Sequence, residues 1–394
     1  MKKTLAAVAV LGAFAGSALA ADVQLYGIVD TGVRYLHSDL DIGNSATNYD
    51  ATDRFSMESG MQSGSRFGFK GTEEIGNGLT VGFVLESQFS SDTGALHADG
   101  FFRREASLFL QGNFGKFAMG RIGSMNGGVS SWAKHGVMSA FGTSWGSYAA
   151  NADNTFGNSG IWNNSIAYET PDFAGFKVFA QYGMGNSITD NNSVENESTS
   201  DRYYAIGASY ANGPLSLYLS VDSINYASTG PAVDYGNDVE DAWTVRFGGN
   251  YDFEVVQIFA GAAYFDEARL SSFSGAATDL FDWYVDGDSD AFTVKGWSLG
   301  VSAAIPAAGG KVLLGASYMD AEAADSVSRY PNSGLENTDV SRWIVSAGYD
   351  YPLSKRTNVY GVVTYNQDSV EYNNNFKDED PSVFGLMVGL RHRF

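Results

Sequence analysis

Two short stretches carry spacings that could do chemistry. Gly142-Thr143-Ser144-Trp145-Gly146 satisfies G-x-S-x-G, in which a serine on a tight strand-to-helix turn becomes a nucleophile when a histidine base and an orienting acid stand within reach. The chain holds only His37, His97, His135 and His392, no such context surrounds Ser144, and 47 glycines make the pattern easy to meet by chance. Asp286-Gly287-Asp288-Ser289-Asp290 starts like a calcium loop, but its sixth position is Ala291 rather than glycine and its twelfth is Trp297 rather than glutamate. Zero cysteines remove disulfides and thiolate metal sites, and no phosphate-binding glycine loop or metal-binding histidine pair appears. Catalysis and cofactor or metal binding are therefore not expected. What remains are charges set among glycines and aromatics, whose chemistry is an electric field rather than a reaction.

The elements that would position such charges follow from composition and period. The 394 residues carry a net charge of −21, which argues against nucleic acid as a partner. Lys2 and Lys3, the apolar stretch Leu5 to Ala15 and Ala18-Leu19-Ala20 form a secretory leader over residues 1–20, leaving one domain over 21–394. Beyond the leader no window approaches the ~20 apolar residues of a transmembrane helix. An exported chain of this kind is free outside the cytoplasm or sits in an outer membrane as a closed barrel.

The pattern has period two almost throughout. Leu215, Leu217, Leu219 and Val221 alternate with Ser216, Tyr218, Ser220 and Asp222, giving a strand with one oily and one wet face. Only Ser131 to Phe141 leans toward a helical period. Short turns rich in Gly, Pro, Asn and Asp fall at 73–78, 112–115, 171–175, 211–214, 251–255, 306–310 and 352–357, with long polar stretches between them. Sixteen segments joined alternately by short turns and long loops predict a transmembrane antiparallel β-barrel rather than a sandwich, which would need several cores and linkers. Leu386, Val388, Leu390, His392 and Phe394 alternate up to an aromatic C-terminus, the form of signal by which outer-membrane barrels engage their assembly machinery.

Particular stretches sharpen this reading. Val23-Gln24-Leu25-Tyr26-Gly27 with Asp30, the run Ser63 to Glu74, Leu85-Glu86-Ser87, Asn163-Asn164-Ser165, Ser209 to Leu217, Leu353 to Thr357 and Val388 to Phe394 resemble the trimeric general porins of Gram-negative outer membranes, in family order over the whole mature chain. The resemblance implies sixteen strands, a homotrimer amid outer-membrane lipid and lipopolysaccharide, and passive diffusion of ions and small hydrophilic solutes. It also implies that the third long loop, about 123–160, folds into each lumen as a constriction, although the family's usual Pro-Glu-Phe-Gly tip is missing here.

Constrictions of this kind set basic wall residues against acids, creating a transverse field. Parity places Arg66 and Lys70 on the wet face, opposite Phe67 and Phe69. Family position points to Arg104, whereas the parity of Leu108 and Leu110 favours Arg103, Glu105 and Ser107, and both readings stand. Glu86 matches the family's wall glutamate and shares the wet parity of Thr80 and Gly82; a third wall arginine is replaced by Ile161. Arg66, Lys70 and Arg104 facing Glu86, Glu105 and Asp153 come close to balance, which predicts a weak ion preference. The excess acid falls in expected outer loops, as in Glu195, Asp234, Asp286 and Asp380, where solubility is a sufficient reason for it.

Overall fold

The computed structural model describes residues 22–39, 52–97, 100–185, 200–226, 240–274, 292–325, 337–372 and 378–394. The expected leader and the acids Glu195, Asp234 and Asp286 lie outside the described residues. The strands are β1 (Gln24–Asp39), β2 (Thr52–Ser59), β3 (Arg66–Gly76), β4 (Leu79–Gln88), β5 (Glu105–Gly112), β6 (Gly115–Gly123), β7 (Ile161–Glu169), β8 (Phe176–Gly183) and β9 (Arg202–Asn212). They continue with β10 (Leu215–Asn225), β11 (Ala242–Asp252), β12 (Gln257–Arg269), β13 (Thr293–Ala307), β14 (Gly310–Ala323), β15 (Thr338–Pro352), β16 (Thr357–Tyr372) and β17 (Ser382–Arg393).

Antiparallel pairing runs around the whole set, and β17 closes the ring on β1 from Ile28–Arg393 to Asp39–Ser382. The seventeen segments occupy sixteen barrel positions, because β2 and β3 share one. The outer half of β1 pairs with β2 and its inner end with β3, while Gly60–Ser65 leave the wall between them. Buried Asp30 holds this excursion: its Oδ2 accepts the N–H groups of Gln62 at 3.0 Å and Ser63 at 2.6 Å.

Alternation decides which face each residue takes. On β10, Leu219 and Val221 are exposed on the outside while Tyr218, Ser220 and Asp222 are buried inside. On β15, Trp343 and Val345 face out while Val340, Arg342, Ile344 and Ser346 face in. In water, each outward Leu or Val forgoes about 1.5–3 kcal/mol of burial, a loss that vanishes in lipid. Ring closure meanwhile pairs the backbone polar groups that lipid cannot hydrate. The short turns fall where the sequence places them; between β13 and β14, Ala308 and Gly309 have φ of 48° and 81°, the left-handed pair a tight hairpin requires.

The connection between β6 and β7 crosses to the far wall. It contains one 3-10 turn (His135–Met138), inside the stretch with helical period, and a short helix α1 (Ala152–Phe156) capped by Asn151, whose Oδ1 accepts from the Asn154 N–H at 2.8 Å. Phe141 and Trp145 pack with Met61, Tyr360 and Met387, so the inward excursion of the second stave meets the tip of this loop. Glycines on the wall make the approach possible. A Cβ on Gly261 would stand 2.8 Å from the Phe156 ring, and one on Gly315 2.9 Å from the Phe141 ring.

Candidate functional site

Residues of six strands, β3, β4, β6, β7, β10 and β12, and of the loop enclose a cavity of about 1060 Å³ whose lining includes Arg66, Arg103, Arg104, Arg121, Arg269 and Asp153. Arg66 opens β3 on its inward parity. Arg103 and Arg104 stand just ahead of β5, and this resolves the two readings of that stretch. Alternation is a property of a paired ladder, the ladder here begins at Glu105 opposite Glu86, and residues before it are released from parity. Both arginines therefore reach the same cavity.

Glu86 lies between two of these cations. Arg104 Nε is 2.6 Å from its Oε1, Arg66 Nε is 3.7 Å from its Oε2, and the Tyr26 hydroxyl donates to Oε2 at 3.0 Å. Arg104 also donates to Gln88 Oε1 at 3.1 Å, which fixes its fork along the wall. A smaller chamber of about 260 Å³ adjoins the first and is lined by Tyr26, Arg66, Lys70, Glu86, Arg104 and Glu105 with Ser130 and Ser131. Lys70 is exposed there, its Nζ 5.1 Å from the centre of the Tyr26 ring. Glu105 is buried and spends its carboxylate on the root of the loop: it accepts from the Ser131 N–H at 2.8 Å, the Ser131 hydroxyl at 3.0 Å and the Ser107 hydroxyl at 2.7 Å.

Asp153 is the carboxylate on the loop side. Its Oδ2 accepts from the Gly128 N–H at 3.1 Å and from Asn158 Nδ2 at 2.7 Å, and its Oδ1 lies 2.8 Å from Nε2 of buried His135. The loop is tied to the far wall through Asp222, which takes Arg246 at 2.7 Å, Asn126 at 2.8 Å and Tyr203 at 3.2 Å. Arg246 Nε donates to the Phe156 carbonyl at 2.8 Å, and the Ala140 and Ala150 N–H groups donate to Ser302 and Ser346 at 2.9 and 3.0 Å. Higher on the same wall Arg342 grips Asp368 through two bonds of 2.6 and 2.8 Å.

The structure thus brings Arg66, Arg103, Arg104 and Asp153 to one cavity and Lys70, Glu86 and Glu105 to the chamber beside it. Reading the sequence did not single out Arg121 or Arg269, nor the pairs Arg246–Asp222 and Arg342–Asp368. For the pairs a signal existed: all four residues have inward parity on neighbouring strands. Gly142–Gly146 forms an irregular turn inside the loop, with Trp145 at φ 81° and the Ser144 carbonyl accepting from Asn151 at 2.9 Å, and not a strand-to-helix elbow.

A closed antiparallel barrel, oily outside and polar within, is the architecture of outer-membrane channels. The model of the Gram-negative porin family matches residues 6–371, and the chain belongs to that family. It is 33% identical to an outer membrane porin of Bordetella pertussis over the whole of both chains, and 31% identical to the major outer membrane protein P.IB of Neisseria meningitidis over 54% of this chain and 56% of that one. The structure of the anion-selective porin from Comamonas acidovorans is similar with a TM-score of 0.64 at 25% identity, covering 95% of this chain and all of that one. The protein is a porin of the bacterial outer membrane, a water-filled channel for ions and small hydrophilic solutes.

Proposed function

We propose that this channel favours anions, and that Arg66, Arg103 and Arg104 on one side and segment 124–160 with Asp153 on the other form its constriction. The observation that carries the reading is the lining of the larger cavity: five arginines and one aspartate among the described residues. Glu86 is held between two arginines and Glu105 is committed to the loop root, so neither acts as an open negative wall. The set therefore departs from the near balance expected from sequence. Lys70 continues the basic side into the adjoining chamber. The anion selectivity of the similar Comamonas porin agrees with this reading. Ser144 is assigned no chemistry.

The assembly is proposed to be a homotrimer joined through the face of β2 to β6. Ring pairs such as Tyr182–Tyr204, Trp243–Tyr264, Trp297–Tyr318 and Trp343–Tyr365 run along the outer rim from β8 to β16, as anchors at a lipid interface would. On the other face Thr31, Ser59 and Ser91 hydrogen-bond one another on the outward side, which suits protein contact better than lipid. Leu386, Val388, Leu390, His392 and Phe394 share the outward face of the closing strand, and we assign them the assembly signal. Purified protein added to a planar bilayer is expected to give large, steady conductance steps in groups of three; single independent steps would remove the trimer.

A further inference from the structure

We infer that Arg121, which lies outside the charges that alternation selects, is a specificity-determining residue of the channel; this rests on the conduction reading above. Arg121 belongs to β6, where Phe117 and Met119 share its parity and Met119 is exposed on the outer face. A guanidinium continuing that row into lipid is costly. Here it lines the arginine cavity, its Nε donating to the Arg103 carbonyl at 2.6 Å and a terminal nitrogen to Asn163 Oδ1.

Irregularities on both sides permit this. Arg121 pairs with Ala106, one residue after the start of β5, so above that point it has no ladder partner on that side. On the other side the register with β7 shifts between Gly120 and Ile122, where Asn163 and Asn164 stand opposite one residue and Asn164 takes a φ of 48°. Gly123, two residues on, pairs with Ile161, the apolar residue at the place where a third wall arginine is expected, and Ile161 lines the same cavity. Arg121 thus supplies a guanidinium from the adjacent strand close to where that charge is missing. In water a unit charge about 10 Å from a passing ion alters that ion's local concentration about twofold, enough to weigh on selectivity.

A charge series at this one position tests the inference in the full chain. Arg121→Lys, Arg121→Gln and Arg121→Glu are reconstituted in planar bilayers, with single-channel conductance and reversal potential read in a KCl gradient. The anion-to-cation permeability ratio is expected to stay near the native value with Lys, to fall about fourfold at low salt with Gln, a factor of about two for each ion, and to fall further with Glu. The steps should shrink in 1 M salt, where screening acts within about 3 Å. Equal changes with Lys and Gln would show that the bonds to Arg103 and Asn163 matter and the charge does not. An unchanged ratio across the series would set Arg121 outside the conduction path, and either result overturns the inference. Because the chain has no cysteine, Arg121→Cys offers a second route if a charged variant does not fold. A cationic thiosulfonate should restore the anion preference and an anionic one should lower it, and identical effects of the two reagents would again overturn the inference. Absence of conductance in the native protein would defeat the conduction reading itself.

Discussion

Arginines on the two sides of the lumen are put to different uses. On β11 and β15, Arg246 and Arg342 are each 2% exposed, and each is held by an aspartate on the neighbouring strand while donating to a carbonyl of an inward-folded loop. On β3 and ahead of β5, Arg66, Arg103 and Arg104 line the open cavity. The first group is bonded into a dry contact, where its charge is cancelled at short range and serves to fasten loops to the wall. The second group faces the lumen in excess of its acid: Arg66 and Arg103 are half-buried at the cavity, and buried Arg104 shares the single carboxylate of Glu86 with Arg66, so net positive charge is left to act on a passing ion. Side-chain type alone does not separate fastening from steering; the ratio of cations to acids does, since Asp222 and Asp368 each take one arginine while Glu86 is shared by Arg66 and Arg104.

The contrast can be broken most strongly at Asp222. Asp222→Ala leaves Arg246 buried beside a neutral residue and also releases Asn126 and Tyr203, so a loss of about 3–5 kcal/mol is expected in urea unfolding from lipid. A loss below about 1 kcal/mol would show that the pair does not fasten the loop. Next in size, Arg66→Ala combined with Arg104→Ala removes two cations and leaves Glu86 without them, so the reversal potential should move toward that of the cation. An unchanged potential would remove these residues from the constriction. Asp153→Asn deletes the carboxylate on the loop side and should raise the anion-to-cation ratio about fourfold at low salt. The smallest effect sharpens the contrast: Arg342→Met with Asp368→Leu should leave the ratio unaltered, because that pair is buried away from the cavity lining.

Much of the barrel was legible because lipid demands alternation and short hairpins demand left-handed residues. Leu215 to Asp222 and the Ala308–Gly309 turn carry both signals openly. The split stave was not, since Thr52–Ser59 shows only Phe55 and Met57 on its oily side between Asp53, Arg54 and Glu58, and reads as a polar loop. Within the site, Arg66 and Lys70 follow from parity on a regular strand. Arg103 and Arg104 could not be separated because the ladder that defines parity starts one residue later, at Glu105. Arg121 was hidden by its own parity, although a cation in an oily row is itself a signal: about 2–4 kcal/mol near the bilayer midplane argues that such a residue is turned inward or lies at a rim. Contacts between the loop and the far wall, such as Asn126 with Asp222 over 96 positions, leave no period or spacing to read.

The reversal potential of the native chain in a planar bilayer, under an about tenfold KCl gradient, tests the central claim most directly. The chain as a whole carries −21, whereas the cavity lining carries five arginines to one aspartate among the described residues. A potential with the sign set by chloride is expected, because the local wall and not the net charge acts on the ion in the narrow part of the lumen. A potential with the sign set by potassium would contradict it.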